Sequence, residues 1–224
     1  MALIDTLLQG SQGIWAREKE HPFVRGLGDG TLPAERFRFY LEQDYLFLIE
    51  YAKVFAQGAT RAAELDTMAA FARLCADTLN TEMALHRSYC AEFGITPADL
   101  EAAEPAQTTV GYTGHLLQAA VRGGIADICA AVLPCQWGYA EIARHLQVRG
   151  LPPEPRYRKW IALYASPEFA AYGRWLRETL EALASTLTPA DVARLQRTFH
   201  TSSRWEYLFW DMAWHMERWR LPEA

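Results

Sequence analysis

The chain has 224 residues, half of them hydrophobic and 22% charged, with a formal net charge of −5. That composition supplies a full core and excludes a disordered chain. It also argues against a nucleic-acid partner, because the basic residues are scattered and form no stripe that could neutralise phosphates.

Four cysteines, Cys75, Cys90, Cys129 and Cys135, show no short paired spacing of the kind that holds zinc. A chain of this length does not need disulfides, so reduced thiols in the cytoplasm are expected. The start, Met1 to Asp5, lacks a basic region followed by an apolar run, so no signal peptide is expected. No stretch has the apolar length to span a bilayer, and no membrane association is expected.

In chain order, apolar residues recur at intervals of three and four, and alternating β-branched runs are missing. The pattern predicts helices at roughly 2–19, 33–60, 65–93, 107–122, 125–148, 155–164, 167–186 and 189–219. Thr96-Pro97-Ala98-Asp99 and Thr188-Pro189-Ala190-Asp191 each set a capping threonine before a proline, with an acid at the third helical position. Ser166-Pro167-Glu168 is a shorter form of the same start signal. The stretch from Gly150 to Pro155 is a rigid connection and not a domain boundary, and no repeat interrupts the chain. The fold class is all-α, a single-domain helical bundle over 1–224.

Four stripes carry polar groups on otherwise apolar faces. Phe37, Tyr40, Asp44, Phe47, Tyr51 and Val54 share one face, with Asp44 its only carboxylate. Cys75, Leu79, Glu82, His86, Tyr89 and Phe93 form a second, and Ile128, Val132, Cys135, Tyr139, Ile142 and Leu146 a third. Val192, Leu195, Phe199, Ser202, Glu206, Phe209, Ala213 and Met216 form the last, with Glu206 at its middle. A buried carboxylate is costly unless paired or protonated. Three acids, Asp44, Glu82 and Glu206, from separate helices therefore suggest one polar cavity, although structural ion pairs give the same pattern. Cys135 follows Pro134, and a proline inside a helix leaves N–H groups free nearby; the expectation is an electropositive setting that favours thiolate. Cys90 and Cys129 have no such neighbour and read as core.

Several segments together resemble the thiaminase II (TenA) family. They are His21-Pro22-Phe23, Asp29 to Pro33, Tyr40 to Tyr45, Glu82-Met83 with Leu85-His86, and Tyr112-Thr113. Leu133 to Tyr139, Trp160-Ile161, Tyr164 to Phe169, Trp205-Glu206 and Phe209 to Met212 complete the match in order along the chain. The resemblance implies a heme-oxygenase-like helical fold, a homotetramer, and no cofactor. It implies conversion of aminomethyl-aminopyrimidine to hydroxymethylpyrimidine with release of ammonia on the thiamin salvage route, and cleavage of thiamin by many members. By resemblance Cys135 is the nucleophile, Glu206 the general acid/base and Asp44 the carboxylate that binds the aminopyrimidine. Tyr112, Tyr139 and Tyr164 match pocket tyrosines. Phe47 stands where many members carry another aromatic, so it keeps stacking without a hydroxyl to donate.

Two rivals stand beside that reading. Glu82 with His86 and Glu141 with His145 are same-face pairs of the kind found in di-metal helical bundles, although the usual spacing is three residues and not four. A non-enzymatic pyrimidine-binding or regulatory protein is the other; it would need Asp44 and the tyrosines but not both Cys135 and Glu206.

Overall fold

The computed structural model describes residues 2–219. Among the described residues twelve α-helices follow one another: α1 (Leu3–Leu8), α2 (Gln12–Lys19), α3 (Pro22–Asp29), α4 (Ala34–Arg61), α5 (Leu65–Asp77), α6 (Met83–Glu92), α7 (Pro97–Ala102), α8 (Gln107–Arg122), α9 (Ile125–Arg149), α10 (Pro155–Tyr164), α11 (Pro167–Leu183) and α12 (Pro189–His215). Among the described residues there is no strand, and the all-α expectation holds.

The capping signals act as the sequence suggests. Thr96 and Thr188 each accept from the N–H of Asp99 and Asp191, whose carboxylates return the bond to the threonine N–H. Ser166 accepts from Phe169 at 3.1 Å to start α11. The signal at Thr96 opens a short helix, α7, that the hydrophobic periodicity alone did not predict.

Three boundaries differ from expectation. The first predicted helix is split, because Gly10 adopts φ 89°, a left-handed conformation that ends α1 and that glycine takes without a Cβ clash. A further short helix, α3, starts where His21 accepts from Phe23 N–H at 3.2 Å and Pro22 fixes the first helical φ. The last helix stops at His215 and not 219: Met216 turns left-handed at φ 49° and Glu217 N–H returns to the Met212 carbonyl. The Glu217 carboxylate then accepts from Thr108 N–H at 2.9 Å, so the turn after α12 satisfies the free start of α8. The tail Leu221–Ala224, to which the sequence alone assigns no function, lies outside the described residues.

Helix α9 is the axis of the bundle, packed by α12, α11, α10 and α8, with most of its residues buried. It runs unbroken through Pro134. On one flank α4 lies against α5 and α8. The approach of α4 to α5 is close enough that a Cβ on Gly58 would come within 2.5 Å of the Phe71 ring. Gln43 fixes the other side of α4. Its Oε1 accepts from Ala106 N–H at 2.8 Å and Thr109 Oγ1 at 2.7 Å, and its Nε2 donates to the Glu104 carbonyl at 3.1 Å. This side chain, next to Asp44, thus sets the start of α8, which carries Tyr112.

Between α5 and α6 the backbone passes through one π-helical turn, Thr78–Glu82. The wider turn shifts the register, so the stripe from Cys75 to Phe93 is not one face: Leu79 is 49% exposed whereas His86 and Tyr89 are buried.

Candidate active site

Five helices and the π turn supply the polar centre of the bundle. Helix α4 offers Tyr40, Asp44, Phe47 and Tyr51 at steps of four, three and four, and all are buried. Tyr112 comes from α8, Cys135 and Tyr139 from α9, Tyr164 from α10 and Glu206 from α12. Glu82 ends the π turn. Every residue that the sequence reading assigned to the site falls in this one region.

Cys135 lies in a carboxylate-rich setting. Its side chain neighbours the Glu206 carboxyl and the Tyr51 hydroxyl. The Tyr112 hydroxyl donates to Glu206 Oε1. Cys135 keeps 9% of its surface accessible while Cys90 and Cys129 keep none, which separates a reachable thiol from two core cysteines. All four cysteines are free thiols.

The expected thiolate is corrected by this setting. Burial pushes the Cys135 thiol well above its ordinary value, and Glu206, Glu82 and Asp44 push it further. The freed N–H groups imagined after Pro134 do not outweigh three acids, since α9 continues without a new N-terminus there. The thiol is therefore neutral at rest and needs a base. Glu206 is placed to serve, because burial raises its carboxyl to about 7 against the pull of Tyr112 and Cys135.

Asp44 occupies the opposite side of the centre. The Tyr40 hydroxyl lies 3.3 Å from its Oδ2 and the His86 Nε2 lies 3.2 Å from the same oxygen, off the line of a good hydrogen bond. Tyr40 also accepts from Trp160 Nε1 at 3.2 Å and lies 3.4 Å from the Tyr139 hydroxyl. Burial raises Asp44 well above the usual carboxylate range, and the charges of Glu82 and Glu206 act in the same direction. Burial lowers His86 to about 4, so the ring is neutral at neutral pH and leaves Asp44 without a cationic partner. The surroundings of Asp44 thus favour its neutral form, which can donate as well as accept.

Aromatic rings pack around the two acids. Phe47 meets Tyr112 at 5.1 Å and Phe209 at 5.6 Å between ring centroids, and Tyr139 meets Tyr164 at 4.9 Å. The Tyr164 hydroxyl lies 3.3 Å from Glu82 Oε1, and burial raises that carboxyl to about 7.

Sequence reasoning left out three groups that the geometry brings in. Tyr51 was on the Asp44 stripe, and its position one turn beyond Phe47 was the available signal. Gln136 follows Cys135, and its side chain neighbours the Tyr51 hydroxyl. Glu18 on α2 is 2% exposed, and burial together with the charge of Glu206 raises it; no periodicity marked it. Of the proposed metal pairs, Glu141 is spent on surface ion pairs, at 3.1 Å to Arg144 and 4.0 Å to Lys19. Among the described residues no three His, Cys, Asp or Glu side chains gather as a ligand set.

Known proteins share this arrangement of helices. An aminopyrimidine aminohydrolase from Halalkalibacterium halodurans is 44% identical over 220 residues, covering 98% of each chain. The solved TenA homologue protein from P. horikoshii superposes with a TM-score of 0.88 at 33% identity, over 96% of this chain and 99% of that one. A Shewanella denitrificans domain described as having a heme oxygenase-like fold superposes at 0.74 with 16% identity, over 95% of this chain and 92% of that one, which establishes the fold type alone. The model of the TENA/THI-4/PQQC family matches residues 8–216. By that match over nearly its whole length, the chain belongs to the TENA/THI-4/PQQC family.

Proposed function

We propose that the protein is an aminopyrimidine aminohydrolase of the thiaminase II type. It converts 4-amino-5-aminomethyl-2-methylpyrimidine to the 5-hydroxymethyl compound with release of ammonia, on the thiamin salvage route, and thiamin is its second substrate. The observation that carries the reading is the placement of the Cys135 thiol beside a Glu206 carboxyl raised to about 7, among aromatic rings and near an Asp44 whose neutral form burial favours.

A protonated carboxyl is a geometric match for an aminopyrimidine. Its carbonyl oxygen accepts from the exocyclic amino group while its O–H donates to the neighbouring ring nitrogen. Transfer of that proton toward the ring draws electrons from it and leaves a carboxylate paired with a ring cation. Phe47 and the tyrosines hold the ring plane by stacking.

Glu206 takes the Cys135 proton, and the Tyr51 hydroxyl turns to the thiolate. That hydroxyl makes only a 3.3 Å bond to the Val132 carbonyl, so little is lost when it turns. The thiolate adds to the ring carbon beside the one bearing the aminomethyl arm, forming the S–C bond. The ring double bond shifts to the arm, the C–N bond of the protonated arm breaks, and the freed amine takes the proton of Glu206 and departs as its ammonium form. Glu206 then removes a proton from water, whose oxygen adds to the arm; the electrons return to the ring and the S–C bond breaks. One carboxyl near neutrality serves as base and acid in alternate steps. The family resemblance also supports a homotetramer in the cytoplasm, which sedimentation and cell fractionation test.

Assay of ammonia and hydroxymethylpyrimidine from the aminomethyl substrate tests the function. Equal release of both by wild type and none by Cys135→Ser is the expected result; no release by wild type overturns the proposal.

A further inference from the structure

A second hollow of about 190 Å³ lies beside this centre, between α5, the π turn, α10 and α11. Asp77, Glu82 and Glu168 line it, and no lysine or arginine does among the described residues. Leu163, Phe169 and the ring of Tyr172, whose hydroxyl donates to Asp77, form its apolar wall. Glu82 belongs to both spaces. It sits deep in the protein and yet keeps part of its surface accessible, and Tyr164, which lies 3.3 Å from it, is packed at 4.9 Å both on Tyr139 and on Phe169. Tyr164 is thus the partition between the ring site and the hollow. Gln136, next to Cys135, contributes to the same wall, and its buried Oε1 has no hydrogen-bond donor.

The polar chemistry of this wall is one-sided. Carboxylates and an undonated amide oxygen call for N–H groups and positive charge, and repel anions. Ammonia, about the size of a water, fills roughly 30 Å³ and would leave most of the hollow empty. The apolar wall fits a hydrocarbon group attached to a nitrogen.

We propose that this hollow is the subsite for the departing amine: it receives a protonated primary or N-alkylated amine, with Glu82 as its counter-charge and Leu163, Phe169 and Tyr172 against its carbon chain. The assignment rests on the hydrolase reading above and adds to it a leaving-group preference. The π turn then has a purpose, since it brings Glu82 to the boundary of the two spaces while its neighbour Thr81 stays on the rim of the hollow.

Two substrates decide it, the 5-aminomethyl pyrimidine and its N-butyl derivative, each followed by release of the hydroxymethyl product. Wild type is expected to process the N-butyl amine within about 10-fold of the primary amine in kcat/KM, a margin of one pocket contact. Thr81→Trp, which fills the hollow from its rim, is expected to lower the N-butyl value at least about 10-fold more than the primary-amine value. Glu82→Gln is expected to raise KM for both cationic amines about 10-fold and to change binding of the neutral hydroxymethyl product less than about 3-fold. Equal loss on both substrates in Thr81→Trp, or equal loss of product and amine binding in Glu82→Gln, overturns the subsite. A wild type with no turnover would count against the hydrolase reading alone. The hollow is then judged by butylammonium chloride titrated into the wild-type protein. Saturable shifts of the Thr81 and Phe169 amide resonances, absent in Glu82→Gln and with sodium chloride, uphold it; no shift overturns it.

Discussion

Cys135 on α9 and Glu206 on α12 set a thiol beside a carboxyl in surroundings where burial favours the neutral form of both. The thiol is not the reactive species at rest; once Glu206 has lost its own proton, it takes the proton of Cys135 and leaves a thiolate beside a general acid. Activity then follows the ionisation of the pair. Because burial raises Glu206 to about 7, kcat/KM rises with pH through about 7 as the pair loses its first proton. A pH profile flat from 5 to 8 would exclude Glu206 as the base.

Glu206→Gln keeps the shape and the Tyr112 contact but cannot take a proton. Turnover is expected to fall about 100-fold or more, and the limb near pH 7 to vanish with it. Glu82 is also raised to about 7, so loss of rate with the limb retained would transfer the titration to Glu82.

Cys135→Ser removes the nucleophile at nearly constant volume. Steady-state release of hydroxymethylpyrimidine is expected to become undetectable while the melting temperature stays within about 3 °C of wild type. Full activity in that variant rejects covalent catalysis.

Asp44→Ala removes the group matched to the ring nitrogen and amino group. A charge-assisted hydrogen bond is worth about 1.5–3 kcal/mol, so calorimetry with the hydroxymethyl product is expected to show affinity lowered about 10- to 100-fold. Unchanged affinity would place the ring elsewhere.

The helices were legible because apolar spacing and capping threonines are local signals. That Asp44, Cys135 and Glu206 face the interior was legible because a polar group stands out on an apolar stripe. What failed was local in another way. Gly10 broke a helix whose side-chain pattern runs on through it, and the π turn rotated the second half of the Cys75–Phe93 stripe without any residue announcing it. Glu18 escaped because α2 has little apolar stripe on which a buried acid would stand out. The protonation of Cys135 was misjudged because Pro134 is a neighbour in sequence, whereas Glu206, Glu82 and Asp44 are neighbours only in space.

The same buried acids set how stability responds to pH. Glu206 has a folded-state pKa of about 7, above the 4.5 of an unfolded chain, so the folded state holds its proton more tightly. The stabilisation is complete below about 4.5 and is lost as pH rises through about 7. At pH 8 the ionised carboxylate costs up to about 3 kcal/mol, from a shift of that order at 1.36 kcal/mol per unit. Glu206→Gln carries no charge to bury, so at pH 8 the variant is expected to melt about 5 °C or more above wild type. Near pH 5 the two are expected to melt together, or the variant slightly lower, because the protonated acid still hydrogen-bonds Tyr112. Glu82, Asp44 and Glu18 are raised by burial as well, so the variant loses part of the wild-type slope between pH 5 and 8 and not all of it. Melting curves that fall in parallel for the two proteins would mean that Glu206 is already ionised at pH 5, and the acid/base assignment would fall with that result.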